Sequence, residues 1–336
     1  MIARRAACVA VVVTSVGIVA GMHAWAAPRG PAPPLENPLA TARDAMARST
    51  FTGTVRVEWF DGHRDHAESV KVDDNNGLLV VGASRQVMGD GEEGLVREAD
   101  GWIALGADGS TLAGPPPGEN YRLSMLPDQV VAGRTTYVVE AVRLQGSLTE
   151  RFFLDQATGL LLRREQIERG RTIRTVEFVA ISDLRAAGTS RPTRPQPQHR
   201  ASPVSTTNLS RTWDVPRSLA NGFELVDAYR RPDGSLQLYY SDGLLGMSVF
   251  EQHGTLVHDA MPSGGHDATV SGRRVRVYDA AGGRTIVWDT GKAVYACVTD
   301  APPSAVGSLL TKLPAHRGRG ALAGAMHFVL APFSWE

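Results

Sequence analysis

Alternating apolar and polar positions dominate the chain from residue 50 onward. In the segment FTGTVRVEW most odd-numbered positions are apolar and even-numbered ones polar, which is the period of a strand with one buried face. Similar short segments, separated by Asp, Gly and Asn, occur at residues 69–72, 78–81, 95–98, 102–105, 135–144 and 149–154. RFFLDQATGLLLRREQ predicts two strands joined by a turn at residues 155–159, and TIRTVEFVAI predicts another strand. This spacing is typical of an antiparallel meander with one solvated face.

Two segments have the helical period instead. Residues 38–49 place Leu39, Ala42 and Met46 on one face, which predicts a short amphipathic helix before the first strand. A second helix is predicted after Asp300, where two prolines fall in the first turn and are tolerated there. Its apolar positions recur at the i, i+3, i+4, i+7 spacing of one buried face: Val306, Leu309, Leu310 and Leu313.

The pattern is interrupted at residues 185–211, which predict an interdomain linker. This segment has four prolines, few apolar residues and an excess of positive charge, so it cannot bury a core. Six further segments follow it and predict strands: FELVDAYRR, LQLYYS, LGMSVFEQ, RRVRVY, RTIVWD and AVYACVTD. The sequence therefore predicts a Pro-rich lead (27–37), a first domain (38–184), a linker (185–211), a second domain (212–314) and a tail (315–336).

Three local patterns lead to specific expectations. Asp242-Gly243 is expected to supply the positive-φ residues of a two-residue hairpin turn, with no nucleophile or acid–base pair in it. The segment GPPPGENY at residues 114–121 is expected to be a rigid exposed turn. Arg163 and Arg164 lie on a predicted strand and are expected on its solvated face.

The N-terminus predicts export. Arg4 and Arg5 precede an apolar run at residues 6–20, and Ala24-Trp25-Ala26 gives an A-x-A cleavage pattern, so residues 1–26 have the features of a signal peptide. The alternative is a single uncleaved helix that anchors the protein in the membrane. The expected location is the periplasm or another extracytoplasmic compartment.

Charge and cysteine content narrow the class of protein. Lys plus Arg and Asp plus Glu are equal at 35 each, so no net field attracts nucleic acid or an anionic membrane. Cys8 and Cys297 are the two cysteines, and signal cleavage would leave Cys297 alone. An internal disulfide is then impossible, so the core must hold the fold, and Cys297 is expected to be a small buried hydrophobe.

The sequence contains no recognisable catalytic motif. G-x-S-x-G, H-E-x-x-H and a phosphate-binding loop are all absent. His63, Asp65 and His66 have poor spacing for a metal site, which needs three or four converging ligands, so a solvated turn is expected. We therefore expect no catalytic residues, no metal and no cofactor.

Several motifs resemble the MucB/RseB family of sigma-factor regulatory proteins. YRRPDGSLQLYYSDGLLGMSVFEQHG and VYACVTDAP, with the predicted closing helix, resemble that family's C-terminal domain. STFTGTVRVEW and FFLDQATGLLLRRE resemble its N-terminal domain, which is similar to the lipoprotein carriers LolA and LolB. The resemblance covers residues 39–314, and the most specific piece is Tyr240 to Leu244. The long Pro/Arg linker, the Gly-rich middle and the apolar tail depart from the family pattern.

The resemblance implies an α+β fold and a regulatory function. The first domain would be a LolA-like curved antiparallel half-barrel with helices on its concave face, enclosing an apolar pocket. The smaller second α+β domain would have an antiparallel sheet and a closing helix. The implied partner is a membrane-anchored anti-sigma factor, and the implied ligand is a lipid or lipoprotein. The alternative is a lipid or lipoprotein carrier without a regulatory partner.

Two sets of residues are candidates for binding. Apolar residues on predicted strands of the first domain would line the ligand pocket, or would simply fill a core: Phe51, Val55, Val57, Trp59, Trp102, Tyr137, Val139, Phe152 and Leu154. Residues of the family-like segment in the second domain would contact the protein partner: Arg230, Arg231, Tyr239 and Tyr240.

Overall fold

A computed structural model shows the arrangement of the strands. It describes residues 38–39, 42, 45, 49–75, 78–81, 85–89, 94–98, 101–104, 115–185, 199–200, 202–205, 209, 215–231, 234–256, 261–281 and 283–314. The predicted signal peptide, the Pro-rich lead and the tail lie outside these residues. Among the described residues, no helix has the length and apolar character needed to cross a membrane.

The first sheet has twelve strands and is antiparallel except at one edge. Its strands are β1 (Thr50–Phe60), β2 (Asp65–Asn75), β3 (Leu78–Val81), β4 (Arg85–Gly89), β5 (Gly94–Glu98), β6 (Gly101–Ala104), β7 (Tyr121–Val131), β8 (Arg134–Arg143), β9 (Leu148–Asp155), β10 (Leu161–Glu168), β11 (Arg171–Arg185) and β12 (His199–Arg200). The order is β12-β6-β5-β4-β3-β2-β1-β11-β10-β9-β8-β7. Two meanders, β1–β6 and β7–β11, are therefore joined by the antiparallel pair β1 and β11.

The second sheet has eight strands. They are β13 (Ser202–Pro203), β14 (Glu224–Arg230), β15 (Leu236–Ser241), β16 (Gly246–His253), β17 (His266–Val270), β18 (Arg273–Ala280), β19 (Gly283–Asp289) and β20 (Ala293–Thr299), in the order β13-β14-β15-β16-β20-β19-β18-β17. Within the described ranges, two helices have bounds that can be given, α1 (Pro117–Asn120) and α2 (Pro303–Leu310). All four apolar positions predicted for the second helix are buried.

The expectation of a sheet-rich, mainly antiparallel fold is confirmed. Every segment predicted as a strand contains one, although β4, β7, β12, β13 and β17 were not predicted. In the predicted linker, β12 pairs parallel with β6 and β13 pairs antiparallel with β14, so this segment extends both sheets. The half-barrel with helices over its concave face and the domain limits stay predictions. We call the first sheet with α1 and its connecting segments the first domain, and the second sheet with α2 and its connecting segments the second domain.

Each sheet has its own apolar core. Leu39 and Ala42, in the helical turn before β1, are buried against the first core as predicted, whereas Met46 lies outside the described residues. Cys297 is fully buried in the second core and carries no disulfide, which confirms the expectation for it. Burial raises the pKa of the Cys297 thiol well above its usual range.

One face of the first sheet positions the candidate site. Residues that lie opposite each other in antiparallel strands share a face. One row on this face runs across five strands through Val139, Phe152, Arg164, Val176 and Val57, and Arg164 is its single charged member.

The next row on the same face is mostly polar. It runs through Ala141, Glu150, Gln166, Arg174 and Trp59. The face therefore changes from apolar to charged within one residue pair along the strands, and the second domain covers its charged end.

Candidate functional site

The turn between β15 and β16 packs closely against the first sheet. Ser241 pairs with Gly246, so the turn has four residues, and the expectation of a two-residue turn is wrong. The Asp242 Oδ1 accepts hydrogen bonds from the amides of Leu244 (3.0 Å) and Leu245 (2.7 Å), which explains why the turn is wider. Gly243, with φ of 99°, is left-handed, whereas Asp242 is not.

The other carboxylate oxygen of Asp242 binds the first domain. The Tyr121 hydroxyl donates a hydrogen bond to Asp242 Oδ2 over 2.7 Å, and the Arg143 guanidinium forms an ion pair with the same oxygen. Arg143 Nη2 also donates to the Tyr121 oxygen over 2.8 Å. Asn120 Nδ2 donates to the Asp242 carbonyl over 2.9 Å. Asp242 is completely buried between the two domains. We call the turn of residues 242–245 the plug, because it inserts into the surface of the first domain.

The proline segment before α1 forms the surface that receives this turn. Pro115, Pro117 and Tyr121 are buried, so the expectation of an exposed turn at residues 114–121 is wrong for these residues. A Cβ on Gly243 would lie 2.5 Å from the Pro115 carbonyl oxygen, which shows how closely the two backbones approach. This proline segment, whose rings fix the backbone, therefore forms part of the interdomain surface.

A second charged cluster lies beside the plug. Arg164 Nε donates to Glu150 Oε2 over 2.9 Å, and its Nη1 donates to Asp300 Oδ2 over 3.0 Å. Arg164 Nη2 reaches the Leu244 carbonyl at 3.3 Å. Arg164 is 4% exposed, so the expectation of a solvated Arg163-Arg164 pair is wrong for Arg164, because the second domain covers it.

Asp300 links this cluster to the second sheet. Its Oδ1 accepts a hydrogen bond from the Gly246 amide over 2.9 Å, and its carbonyl accepts one from Gln166 Nε2 over 2.9 Å. Asp300 therefore holds the end of the plug turn and the first domain at once. Three smaller contacts extend the joint: Arg174 to the Ala281 carbonyl, Arg284 to the Asp61 carbonyl, and Ser304 to Glu168.

Apolar side chains also cross between the two domains. Leu244 and Ala281 of the second domain pack into the first core, and Leu148 of β9 packs into the second core. We call this whole contact, with the two charged clusters at its centre, the domain joint.

Burial changes the acid–base properties of the joint. It raises the pKa of Glu150 to about 7, although Arg164 opposes the shift and Asp300 adds to it. It lowers the pKa of Arg174 to about 10. Burial also raises the pKa of Tyr121 above its usual range, so this hydroxyl stays a donor. The joint thus contains one carboxyl whose charge changes near neutral pH.

The predicted ligand-pocket residues fall into three groups. Six of them are at most 1% exposed and pack in the first core: Phe51, Val55, Val57, Val139, Phe152 and Leu154. Trp59 is half-buried at the margin of that core, stacked on His66 with ring centroids 5.1 Å apart. Tyr137 is 43% exposed, and the Trp102 side chain lies outside the described residues.

The core around these residues is closely packed. The space bounded by Val55, Leu161, Val176 and Phe178 has no room for a water molecule. An open cleft of about 400 Å³ lies at β1, β2 and β11, and its exposed wall is mainly apolar, although hydroxyl and charged side chains also line it. A ligand at the six buried candidates would therefore have to displace side chains that are packed here.

Most of the predicted partner-binding residues are buried in the second sheet. Arg230 is exposed, but Arg231, Tyr239 and Tyr240 are 7%, 8% and 0% exposed. The Tyr240 hydroxyl donates to the Pro216 carbonyl over 2.9 Å. These three side chains therefore stabilise their own domain in this conformation, and their contact with a partner stays a prediction.

The histidine motif of the first domain is a local turn. His66 Nε2 and Asp61 Oδ2 are 2.7 Å apart, and Asp61 Oδ1 accepts hydrogen bonds from the backbone amides of His63 and Arg64. In the part of the chain that the structure describes, no three His, Cys, Asp or Glu side chains converge as metal ligands.

The residues of the joint were not among the predicted site residues. A signal was present in the sequence, because Glu150 falls on the same strand phase as Phe152 and Leu154, whose positions predicted burial. A charged residue on a buried phase indicates a partner from another element.

Comparisons with known proteins find similarity to solved structures. No family model and no curated protein matches the chain. MucB in complex with MucA(peri) has 20% identity and a TM-score of 0.45, covering 84% of this chain and 100% of that one. The Pseudomonas aeruginosa MucA/MucB complex has 19% identity and a TM-score of 0.45, covering 84% and 99%.

A LolA superfamily protein from Nitrosomonas europaea is similar over a smaller part. It has 12% identity and a TM-score of 0.24, covering 47% of this chain and 96% of that one. The comparison thus returns the same proteins that the sequence motifs resemble, but these identities and TM-scores are too low to transfer a function to this chain.

Proposed function

We propose that this chain is an exported regulator of sigma-factor activity that binds a membrane-anchored anti-sigma factor. The partner class comes from the motif resemblance, and MucB, in the similar structures, was crystallised with MucA. The observation that carries the proposal is that Tyr240–Leu244, the most specific piece of that resemblance, contains most of the plug of the domain joint. The residues that point to the family therefore fix how the two domains sit together.

The partner would bind a surface that depends on this placement. A ligand in the first domain would weaken partner binding if it binds the closed and opened arrangements of the joint with different affinity. An acyl chain is the proposed ligand, since each buried CH₂ contributes about 0.8 kcal/mol without any polar contact. Its binding would have to open the packed core around Phe152 and Val55.

Affinity capture from envelope extracts, followed by titration of the identified partner, tests this proposal. The full chain should retain a membrane protein whose cytoplasmic part binds a sigma factor, and calorimetry should then show direct binding of its exported segment. Asp242→Asn should weaken this binding at least tenfold, whereas Asp155→Asn, a matched change in a turn of the first domain, should leave it unchanged. Recovery of no such protein, or of none that binds after purification, would exclude the regulatory function.

The competing function is a lipid or lipoprotein carrier without a regulatory partner. Native mass spectrometry of the protein from its own host separates the two. A co-purified lipid without a protein partner would favour the carrier, whereas a protein partner with or without a lipid would favour the regulator.

A further inference from the structure

Glu150 has an unusual position at the centre of the domain joint. It lies on β9 and is completely buried. Its Oε2 accepts the hydrogen bond from Arg164 Nε at 2.9 Å. Its Oε1 is equally buried and makes no hydrogen bond of standard geometry among the described residues, although the Gln166 side chain acts on the carboxyl as a donor and opposes the rise of its pKa. A buried carboxyl with so few donors to its charged form is a place where a proton is stabilised.

Charged groups from both domains face this carboxyl. From the first sheet, Arg164 of β10 and Arg174 of β11 lie beside it, and Gln166 is its opposite residue on β10. From the second domain, Asp300 reaches the same Arg164.

The neighbouring plug adds the remaining titratable groups. Tyr121 of β7 and Arg143 of β8 surround Asp242 of the second domain, and Glu150 acts electrostatically on Tyr121. The two charged clusters and Arg174 together therefore contain three guanidinium groups and three carboxyls, which balance when all are ionised. Protonation of Glu150 leaves one positive charge in excess, but Asp300 still pairs with Arg164.

We propose that the domain joint is a proton-operated latch, which holds the two domains together while Glu150 is protonated and loosens as Glu150 ionises. The latch is a property of the joint itself, so it is independent of the identity of any partner.

The direction follows from where the proton is held more tightly. In the closed joint the pKa of Glu150 is raised from 4.5 to about 7. In an opened joint water would reach the carboxyl, and its pKa would return towards the ordinary value. The closed state therefore binds more protons between these two values, so rising pH through this window favours opening.

Thiol labelling at a buried position of the joint measures rare opening events. Leu244→Cys places a reactive group where the second domain packs into the first core. The full chain also carries Cys8→Ser, and the native Cys297, buried in the second core, reports global unfolding in the same molecule. Lys292→Cys, at an exposed position, corrects for the effect of pH on thiol chemistry.

The latch predicts a large pH effect at position 244. Because each pKa unit between the closed and open states is a factor of ten, the corrected labelling rate should rise about thirtyfold from about pH 5.5 to about pH 8.5. Glu150→Gln should abolish this rise. Glu140→Gln is the matched control, since Glu140 pairs with Arg151 at 2.8 Å on the other face of the sheet, and it should keep the rise.

Three outcomes would overturn the proposal. One is a corrected rate that does not change with pH, and another is a rise that persists in Glu150→Gln. The third is labelling at position 244 only together with Cys297, which would mean that the joint opens only by global unfolding. If Leu244→Cys does not fold, Ala281→Cys is the second reporter, because Ala281 also belongs to the second domain and packs in the first core.

Discussion

Two turns in this molecule begin with an aspartate that caps its own backbone and binds an arginine. In the β9–β10 turn, the Asp155 carboxylate accepts hydrogen bonds from the Thr158 amide over 2.9 Å and from Arg134 Nε over 2.8 Å. In the β15–β16 turn, the Asp242 carboxylate accepts hydrogen bonds from two amides of its own turn and forms an ion pair with Arg143. The local chemistry of the two turns is nearly the same.

The difference is the origin of the arginine. Arg134 belongs to the same sheet as Asp155 and is 32% exposed. Arg143 belongs to the opposite domain and is 6% exposed. Turns with nearly the same local chemistry therefore close a hairpin in one place and join two domains in the other. The contrast shows that local sequence does not determine which role an Asp-containing turn has.

Replacement of the two aspartates should give the largest contrast. Asp242→Asn leaves the Arg143 charge buried without its carboxylate, so the free energy of unfolding should fall by about 3–5 kcal/mol. Asp155→Asn should cost about 1 kcal/mol, because water reaches Arg134. Urea unfolding monitored by circular dichroism measures both changes, and equal costs would contradict the distinction.

Replacement of Arg164 should have the next largest effect. Arg164→Met removes the cation shared by Glu150 and Asp300, and we expect a loss of about 3 kcal/mol at neutral pH. The loss stays below that of Asp242→Asn because Glu150 can take up a proton. Arg163→Met is the control, since Arg163 is 32% exposed on the other face and should cost less than about 1 kcal/mol. Thermal unfolding measures both losses. A loss for Arg164→Met that is no larger than the loss for Arg163→Met would contradict the role of Arg164 in the joint.

Replacement of the two turn glycines separates backbone strain from domain contact. Gly159 and Gly243 both have positive φ, 78° and 99°, so alanine should cost about 1–2 kcal/mol at either position. Gly243→Ala adds a collision with the Pro115 carbonyl of the other domain. We therefore expect Gly243→Ala to be the more destabilising change by about 1 kcal/mol. Equal unfolding midpoints would show that the backbones do not touch.

The smallest effect concerns a hydroxyl group. Tyr121→Phe removes the donor to Asp242 and the acceptor of Arg143, so it should cost about 1–2 kcal/mol. Tyr137→Phe should be neutral within about 0.5 kcal/mol, because Tyr137 is exposed. Denaturant unfolding of both variants in parallel tests this pair. If Tyr121→Phe does not change the free energy of unfolding, the Tyr121 hydroxyl does not stabilise the joint.

The sequence predicted the strands well because their burial is a local pattern. β7 was missed, since Pro127 and Asp128 interrupt its alternation, and the structure has a register shift between Leu126 and Gln129. The pairing of β1 with β11 joins residues more than a hundred positions apart, and no local pattern encodes it.

Glu150 gave a signal for the domain joint, but the burial of Arg164 there could not be predicted, for a different reason. Arg164 lies in the segment LLRREQ, where a polar residue normally indicates a solvated face. Its burial depends on Asp300 and Leu244, which belong to the other domain. The pattern within one strand reports whether a residue can be buried by its own sheet, but not whether another domain covers it.

A double-mutant cycle between Asp242 and Arg143 tests the central claim most directly. The free energies of unfolding of Asp242→Asn, Arg143→Met and the double variant give the coupling between the two side chains across the domain joint. If this ion pair locks the domains together, the coupling should be about 2 kcal/mol or more, with the double variant close to the more damaging single one. A coupling near zero would contradict the account.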